Sequence, residues 1–299
     1  VEVHVHDQQA ERVSHGTGFF AALDQSGGST PKALRDYGIS DDSYSNDEQM
    51  FDLVHAMRSR IIDSPSFTGD RIIGTILFEQ TMKREIEGVA TPDFLWDHKG
   101  VVPFLKVDKG LAGESDGAQM MKDIDDLDEQ VADAKSRHVF GTKMRSVIKL
   151  ANPAGVDAVL NQQFAYGARI SRGGLVPILE PEVDITSPQK QAAEELLVAG
   201  IKDRLDAVDP ANPIMLKLSL PTVSDRYAEL IADSRVLRVV ALSGGYDRAD
   251  ACALLTHNPG LIASFSRALL EGLSVDQTDE QFNATLAASI EEIFAASLT

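Results

Sequence analysis

Eight short runs of almost uninterrupted apolar, β-favouring residues recur along the chain, at 18–24, 71–79, 101–108, 141–150, 175–183, 213–220, 238–242 and 261–265. A strand exposed on one face alternates apolar and polar residues, whereas a strand covered on both faces does not. These runs therefore point to a parallel sheet buried beneath helices. The segments between them carry helical stripes and helix-start signals. Met50, Leu53, Val54, Met57 and Ile61 share one face of a helix expected to begin near Ser45 or Asn46. Ser187-Pro188 places a cap and a first-turn proline before a helix over 189–205. Thr278-Asp279-Glu280-Gln281 reads as a capping box for a final helix with Phe282, Leu286, Ile290 and Ile293 inward.

Eight β/α alternations in 299 residues, with no Pro/Ser-rich linker or composition break, predict an α/β fold: a single (β/α)8 TIM barrel over 1–299. Residues 1–15 read as a flexible N-terminal arm, in which His4 and His6 lack further ligands for a metal. The acidic stretches 36–47 and 116–128 read as solvated loops.

Lys and Arg number 28 against 46 Asp and Glu, a formal charge of -18, which opposes binding to nucleic acid or an anionic membrane surface. No stretch approaches the roughly 18 apolar residues that span a bilayer, and the N-terminus lacks a signal-peptide core. The one cysteine, Cys252, reads as a buried helical thiol and cannot form an intramolecular disulfide. These features lead us to expect a soluble, cytoplasmic protein.

In a barrel enzyme the chemistry sits at the C-terminal ends of the strands. The apolar runs are interrupted there by Asp24, Glu79, Lys106 and Asp108, Lys143 and Arg145, Glu180 and Glu182, and Lys217 and Ser219. Residues at i and i+2 share a strand face, so each of the four pairs projects to one side. Unpaired buried charge is costly, so Lys106 and Lys217, embedded in apolar sequence, must meet counter-charges or a ligand in the barrel mouth. After the seventh and eighth runs come Ser243-Gly244-Gly245 and Ser264-Phe265-Ser266-Arg267. Glycine-freed amides beside an arginine make a phosphate cradle at the location this fold commonly uses. Ser26-Gly27-Gly28-Ser29, followed by Thr30 as cap and Pro31 in the first turn, suggests a second anion site and hence a doubly phosphorylated ligand.

Lysines, carboxylates and a phosphate cradle together suit Schiff-base chemistry on a carbonyl substrate. A neutral lysine attacks the carbonyl, a neighbouring cation favours that neutral form, and a carboxylate moves the hydroxyl proton that permits carbon–carbon cleavage. Lys217 and Lys143 supply nucleophile and neighbouring cation, with Glu180 or Glu182 as base. Two other readings of the same residues stay open: a Mg2+-dependent barrel enzyme using Asp24, Glu79, Glu180 and Glu182, and a non-enzymatic scaffold that retains the barrel. A zinc site would want histidines at strand ends, but His98, His138 and His257 precede strands, and His15 and His55 also lie away from the strand termini.

Seven ordered blocks carry a resemblance: Ala22-Leu23-Asp24-Gln25-Ser26-Gly27-Gly28-Ser29, Leu105-Lys106-Val107-Asp108-Lys109-Gly110, Lys143-Met144-Arg145, Val176-Pro177-Ile178-Leu179-Glu180-Pro181-Glu182, Leu216-Lys217, Leu242-Ser243-Gly244-Gly245 and Ser264-Phe265-Ser266-Arg267. In these blocks the chain resembles the class I (Schiff-base) fructose-1,6-bisphosphate aldolases, bacterial branch. The resemblance implies a metal-independent lyase of glycolysis and gluconeogenesis without cofactor, acting on a small phosphorylated sugar, with a homo-oligomer open. A Schiff-base lyase acting on another phosphorylated ketose is the alternative within this chemistry. The resemblance further implies Lys217 as the imine-forming lysine, Glu180 as proton acceptor, Glu182 and Lys143 as acid/base partners, and Asp24 as the residue orienting imine and substrate hydroxyls. Ser243, Gly244 and Arg267 would hold the phosphate on carbon 1, and Gly245 and Ser264 would also serve substrate or phosphate binding. Lys106, Arg145, Ser26 and Ser29 would serve the rest of the sugar and its second phosphate. Two features depart from the animal members: they have Asp-Glu where this chain has Asp24-Gln25, and no tyrosine occurs near Thr299 to match their mobile tail.

Overall fold

The computed structural model describes residues 2–299, with side chains from position 6 onward, so the His4 side chain lies outside the described residues. Eight strands form the barrel: β1 (Phe19–Leu23), β2 (Ile72–Leu77), β3 (Val102–Lys106), β4 (Gly141–Ile148), β5 (Val176–Val183), β6 (Ile214–Ser219), β7 (Val236–Leu242) and β8 (Ile262–Phe265). Each pairs in parallel with the next, and β8 closes on β1 with Ser264 opposite Phe20. The expected strands are all present, most of them shorter by one or two residues at an end.

The apolar continuity of the runs reflects two separate cores. Phe20, Ile73, Val102, Phe104, Phe140, Ile178, Met215, Val240 and Ile262 fill the barrel interior, where Phe104 meets Phe20 and Phe140 edge-on at 5.4 and 5.5 Å between ring centroids. A larger cluster, including Leu23, Ile72, Leu105, Met144, Leu179, Leu216 and Ala241, packs the outer strand faces against the helices. The filled lower interior leaves the chemistry only the upper end.

Helix starts follow the local chemistry. Asn46 caps the helix Asp47–Asp63 by accepting from the Gln49 amide, and Met50, Val54, Met57 and Ile61 are buried. Thr278 and Gln281 form the reciprocal capping box of the helix Asp279–Ala296. The helix Ser29–Asp36 is capped by Gly28, without a side-chain bond, so Thr30 and Pro31 lie inside its first turn and Thr30 is not the cap.

Three expectations need correction. Of the segment expected as an arm, Glu2–His15 forms a helix under the barrel, with Val13 buried among Phe20, Ile73 and Phe104. An apolar barrel floor needs a cover, and Val13 on this helix contributes it. The 116–128 segment is not simply solvated. Its acidic residues face water, but Ala118, Met121, Ile124 and Leu127 are buried, and Ala118–Gln119 adds an antiparallel strand to the end of β4. Glu79 is not a strand-end group, because β2 stops at Leu77 and Glu79 opens a short helix.

Gly141 shows how tightly the interior is filled: a Cβ there would lie 2.4 Å from the Val176 carbonyl oxygen and 2.6 Å from the Phe104 ring. Gly141→Ala should therefore destabilise the fold by about 1–3 kcal/mol through overpacking. A urea midpoint equal to the wild type would contradict this packing.

Candidate active site

At the C-terminal end of the barrel a cavity of about 420 Å³ collects the strand-end residues. Asp24, Lys106, Lys143, Arg145, Glu180, Glu182 and Lys217 line its floor and walls, and Ser26, Ser29, Ser243, Gly244, Ser264 and Arg267 line its rim. Most of the site residues expected from the sequence are therefore brought together; Gly245 lines an adjoining cavity with Tyr246 and Leu270, and Glu79 and Ser219 lie outside both.

Lys143, on β4, sits at the centre of the charge arrangement. Its Nζ lies 2.7 Å from Asp24 Oδ2, 2.8 Å from Glu180 Oε2 and 3.9 Å from Asp108 Oδ2. Glu180 in turn reaches Lys217, with Oε1 3.2 Å from Nζ. One carboxylate thus contacts both lysines, which the sequence reading expected to work together. All five of these residues are buried.

Burial alone would raise the Asp24 carboxyl, but Lys143, and then Lys217, outweigh it and hold the group well below its ordinary 3.8. Burial would likewise lower Lys143, yet Asp24, Glu180 and Asp108 raise it well above its usual 10.5. Lys143 is consequently a cation in the resting site at neutral pH. Its charge is held beside the lysine expected to act as nucleophile.

Two further pairs flank this centre. Lys106 Nζ is 2.7 Å from Asp108 Oδ1, and the Arg145 side chain bonds Glu182. Asp108 lies just beyond the end of β3, yet it also accepts from the Arg145 backbone amide at 3.2 Å, which ties the ends of β3 and β4 together.

On the rim, Ser243, Gly244 and Gly245 form a turn closed by the Tyr246 amide donating to the Ser243 carbonyl. Gly244 and Gly245 have φ of 63° and 122°, conformations that favour glycine. Ser264 Oγ is buried with no hydrogen-bond partner among the described residues, as expected of a group that meets a polar ligand. Across the mouth, Ser26 and Ser29 bond one another, Ser29 Oγ accepting from the Ser26 amide at 3.0 Å.

Sequence reasoning did not assign a role to several cavity residues. Gln25 and Ser266 line it and touch, Gln25 Nε2 donating to Ser266 Oγ at 2.6 Å, and Gly110 and Leu111 also contribute to the wall. Both Gln25 and Ser266 lay inside quoted blocks, but their contact spans 241 positions and leaves no local signal. Ser219 and Glu79 were expected at the mouth and are not part of it. Ser219 Oγ is engaged with the Val183 backbone, and Glu79 pairs with Lys83 at 2.6 Å.

Among the described residues no histidine lines the cavity, and no group of three or more His, Cys, Asp or Glu is arranged to hold a metal. Asp24 and Glu180 instead face lysine ammonium groups. Cys252 lies in the helix Arg248–Leu255, where burial raises its thiol to about 11, so it is no nucleophile at neutral pH. No helix among the described residues is long and apolar enough to cross a membrane.

Comparison with known proteins is consistent across sequence and structure. Residues 5–196 match the family model described as fructose-bisphosphate aldolase class-I. A curated protein of Porphyromonas gingivalis named fructose-bisphosphate aldolase class 1 is 55% identical over 291 residues, covering 97% of this chain and 99% of the relative. One of the same name from Clostridium acetobutylicum is 55% identical over 295 residues, covering 99% and 100%. The fold is shared with a solved structure of fructose-bisphosphate aldolase from Plasmodium falciparum in complex with TRAP and a small-molecule inhibitor. That match has a TM-score of 0.74 at 19% identity, covering 99% of this chain and 95% of that one.

The direction of the Asp24 shift fixes its effect on stability. A carboxyl held below its unfolded value stabilises the fold above about pH 4, and the contribution is lost as pH falls through the folded value. In Asp24→Asn the acid limb of the stability curve should flatten, by up to about 1.4 kcal/mol per pH unit below pH 4. Urea titrations between pH 5 and pH 3 that run parallel for wild type and variant would disprove the assignment.

Proposed function

The chain belongs to the class I fructose-bisphosphate aldolases, and from that premise we propose that Lys217 forms the covalent imine and that the surrounding cavity residues divide the remaining steps. The family reaction is the reversible retro-aldol cleavage of fructose 1,6-bisphosphate to dihydroxyacetone phosphate and glyceraldehyde 3-phosphate. It runs through a lysine Schiff base and requires no metal.

The observation that carries the assignment of roles is the shared carboxylate: Glu180 contacts Lys217 and Lys143 with its two oxygens. Lys217 Nζ attacks the C2 carbonyl, the carbinolamine loses water, and the resulting iminium withdraws electrons from C3. Glu180 accepts a proton during this sequence, with Lys143 as the adjacent proton donor and Glu182 in support. Removal of the C4 hydroxyl proton lets the C3–C4 pair collapse toward the iminium, and the aldehyde leaves. Protonation of the enamine at C3 and hydrolysis release the second product and restore the amine. Asp24, ionised and buried, accepts hydrogen bonds from the substrate hydroxyls and steers the imine.

Substrate phosphates fit the two ends of the cavity. Arg267, Ser243, Gly244 and Ser264 receive the phosphate on carbon 1, with Gly245 shaping the turn. Lys106, Arg145, Ser26 and Ser29 face the rest of the sugar and the phosphate on carbon 6. In an acidic protein this local cluster of cationic groups gives the dianion a defined place to bind.

Borohydride reduction in the presence of dihydroxyacetone phosphate should attach the triose to Lys217, as read by peptide mass spectrometry, and Lys217→Met should lose activity by at least about 10⁴-fold while remaining folded. An adduct at any other lysine would refute the assignment. Arg267→Ala should raise KM for the bisphosphate by about 30-fold or more, the loss of one charge-assisted contact, with a smaller effect on kcat. An unchanged KM would remove Arg267 from the phosphate site.

A further inference from the structure

Lys217 and Glu180 stand on adjacent strands, so their separation is set by how β5 and β6 are joined. The ladder between these strands pairs Ile178 with Met215 and Leu179 with Leu216 and goes no further. Beyond it, β5 stays paired to β4 as far as Val183 opposite Ile148, and β6 stays paired to β7 as far as Ser219 opposite Leu242. The two strands therefore part at the level where Glu180, Glu182 and Lys217 reach the cavity. Pro181, which has no amide hydrogen, removes one donor from this stretch.

Above the gap the strands are rejoined by a side chain. Ser219 Oγ donates to the Val183 carbonyl at 2.6 Å and accepts from the Val183 amide at 3.0 Å. A single hydroxyl thereby satisfies both backbone groups of a fully buried residue that would otherwise lack partners on this side.

Ser219 is itself held from behind. The Tyr227 hydroxyl, fully buried, donates to the Ser219 carbonyl at 2.9 Å. Lys190 Nζ donates to the next carbonyl, that of Leu220, at 2.7 Å, and is also paired with the buried Glu194. These groups line no part of the cavity and make no contact with it; together they fix the end of the strand that carries Lys217.

We propose that Ser219 is a positioning residue for the aldolase reaction: its hydroxyl bridges the backbone of Val183 and so sets the spacing of β5 and β6 at which Lys217 and Glu180 face each other. The proposal rests on the reading of Lys217 as the imine-forming residue. Without the hydroxyl, Val183 loses two hydrogen bonds and the strands relax, moving the carboxylate relative to the amine. A displacement of about 1 Å between reacting groups costs on the order of 100-fold in rate.

The test compares Ser219→Ala with Ser146→Ala, which removes a second buried hydroxyl, on β4, that accepts from Gln163 and does not line the cavity. Three readouts are needed: thermal midpoint, KM and kcat for fructose 1,6-bisphosphate, and the single-turnover rate of borohydride-trappable imine against pH. Ser219→Ala should slow imine formation by about 100-fold, with KM within about twofold and the pH profile displaced. Ser146→Ala should lose thermal stability without a kinetic change. Wild-type rates and pH profile in Ser219→Ala, or identical kinetic losses in both variants, would overturn the proposal. If Ser219→Ala does not fold, Ser219→Cys, nearly isosteric with a weak donor, replaces it, and an unchanged imine rate there overturns the proposal equally. Failure of the underlying reading looks different, because the wild type itself would then carry its adduct at a residue other than Lys217.

Discussion

A single buried ammonium, that of Lys143, holds the active end of this barrel together. It draws Asp24 from β1, Glu180 from β5 and, at longer range, Asp108 from beyond β3 toward β4. Each carboxylate would be expensive to bury alone, and the shared cation offsets that cost, holding the Asp24 carboxyl well below its ordinary value. The same charge lies across the Glu180 carboxylate from Lys217, the residue proposed as nucleophile. On that proposal, the arrangement that makes the carboxylates tolerable to bury also places them around the reacting amine.

The barrel makes such an arrangement available by separating its two ends. Below, Phe20, Phe104, Phe140 and their neighbours fill the interior so completely that Gly74 and Gly141 are needed where rings approach the backbone. Above, the interior positions of the same strands become charged: Phe104 is followed two residues on by Lys106, Gly141 by Lys143, Ile178 by Glu180 and Met215 by Lys217. The period of two that directs apolar side chains inward at one level directs titratable ones inward at the next. This is why the eightfold alternation and the i, i+2 pairs were legible in the sequence. They are local regularities, and local regularities survive in one dimension.

What the sequence did not disclose depends on distance along the chain. The helix Glu2–His15 carries charge and polarity that read as a frayed arm, and only the barrel floor explains why Val13 is buried. Glu79 looked like a strand-end acid because the apolar run continued to Phe78, but β2 ends at Leu77 and the chain turns into a helix there. Ser219 shares the face of Lys217, as the spacing required, yet its hydroxyl is taken up by Val183 and never reaches the cavity. In each case the residue type and local position were compatible with more than one environment, and a contact from another strand or helix selected among them.

The departure at Gln25 shows what such a contact accomplishes. Arg58, on the helix Asp47–Asp63, is fully buried and forms no ion pair among the described residues. Burial lowers it only to about 10, with Asp24 opposing the shift, so it remains a cation at neutral pH. Its guanidinium donates to Thr81 Oγ1 at 2.9 Å, to the Gln25 carbonyl at 2.6 Å and, more weakly, to Gln25 Oε1 at 3.4 Å. That leaves the other end of the Gln25 amide, Nε2, free to donate to Ser266 Oγ across the mouth. A carboxylate at position 25 could accept from Arg58 but could not donate to Ser266. The amide is therefore the group that links a buried cation on one side to a neutral hydroxyl on the other, joining the loops after β1 and β8 without adding negative charge beside Arg267, the arginine proposed to hold the phosphate. In a chain with 46 acidic residues, withholding one carboxylate at that point favours an anionic substrate.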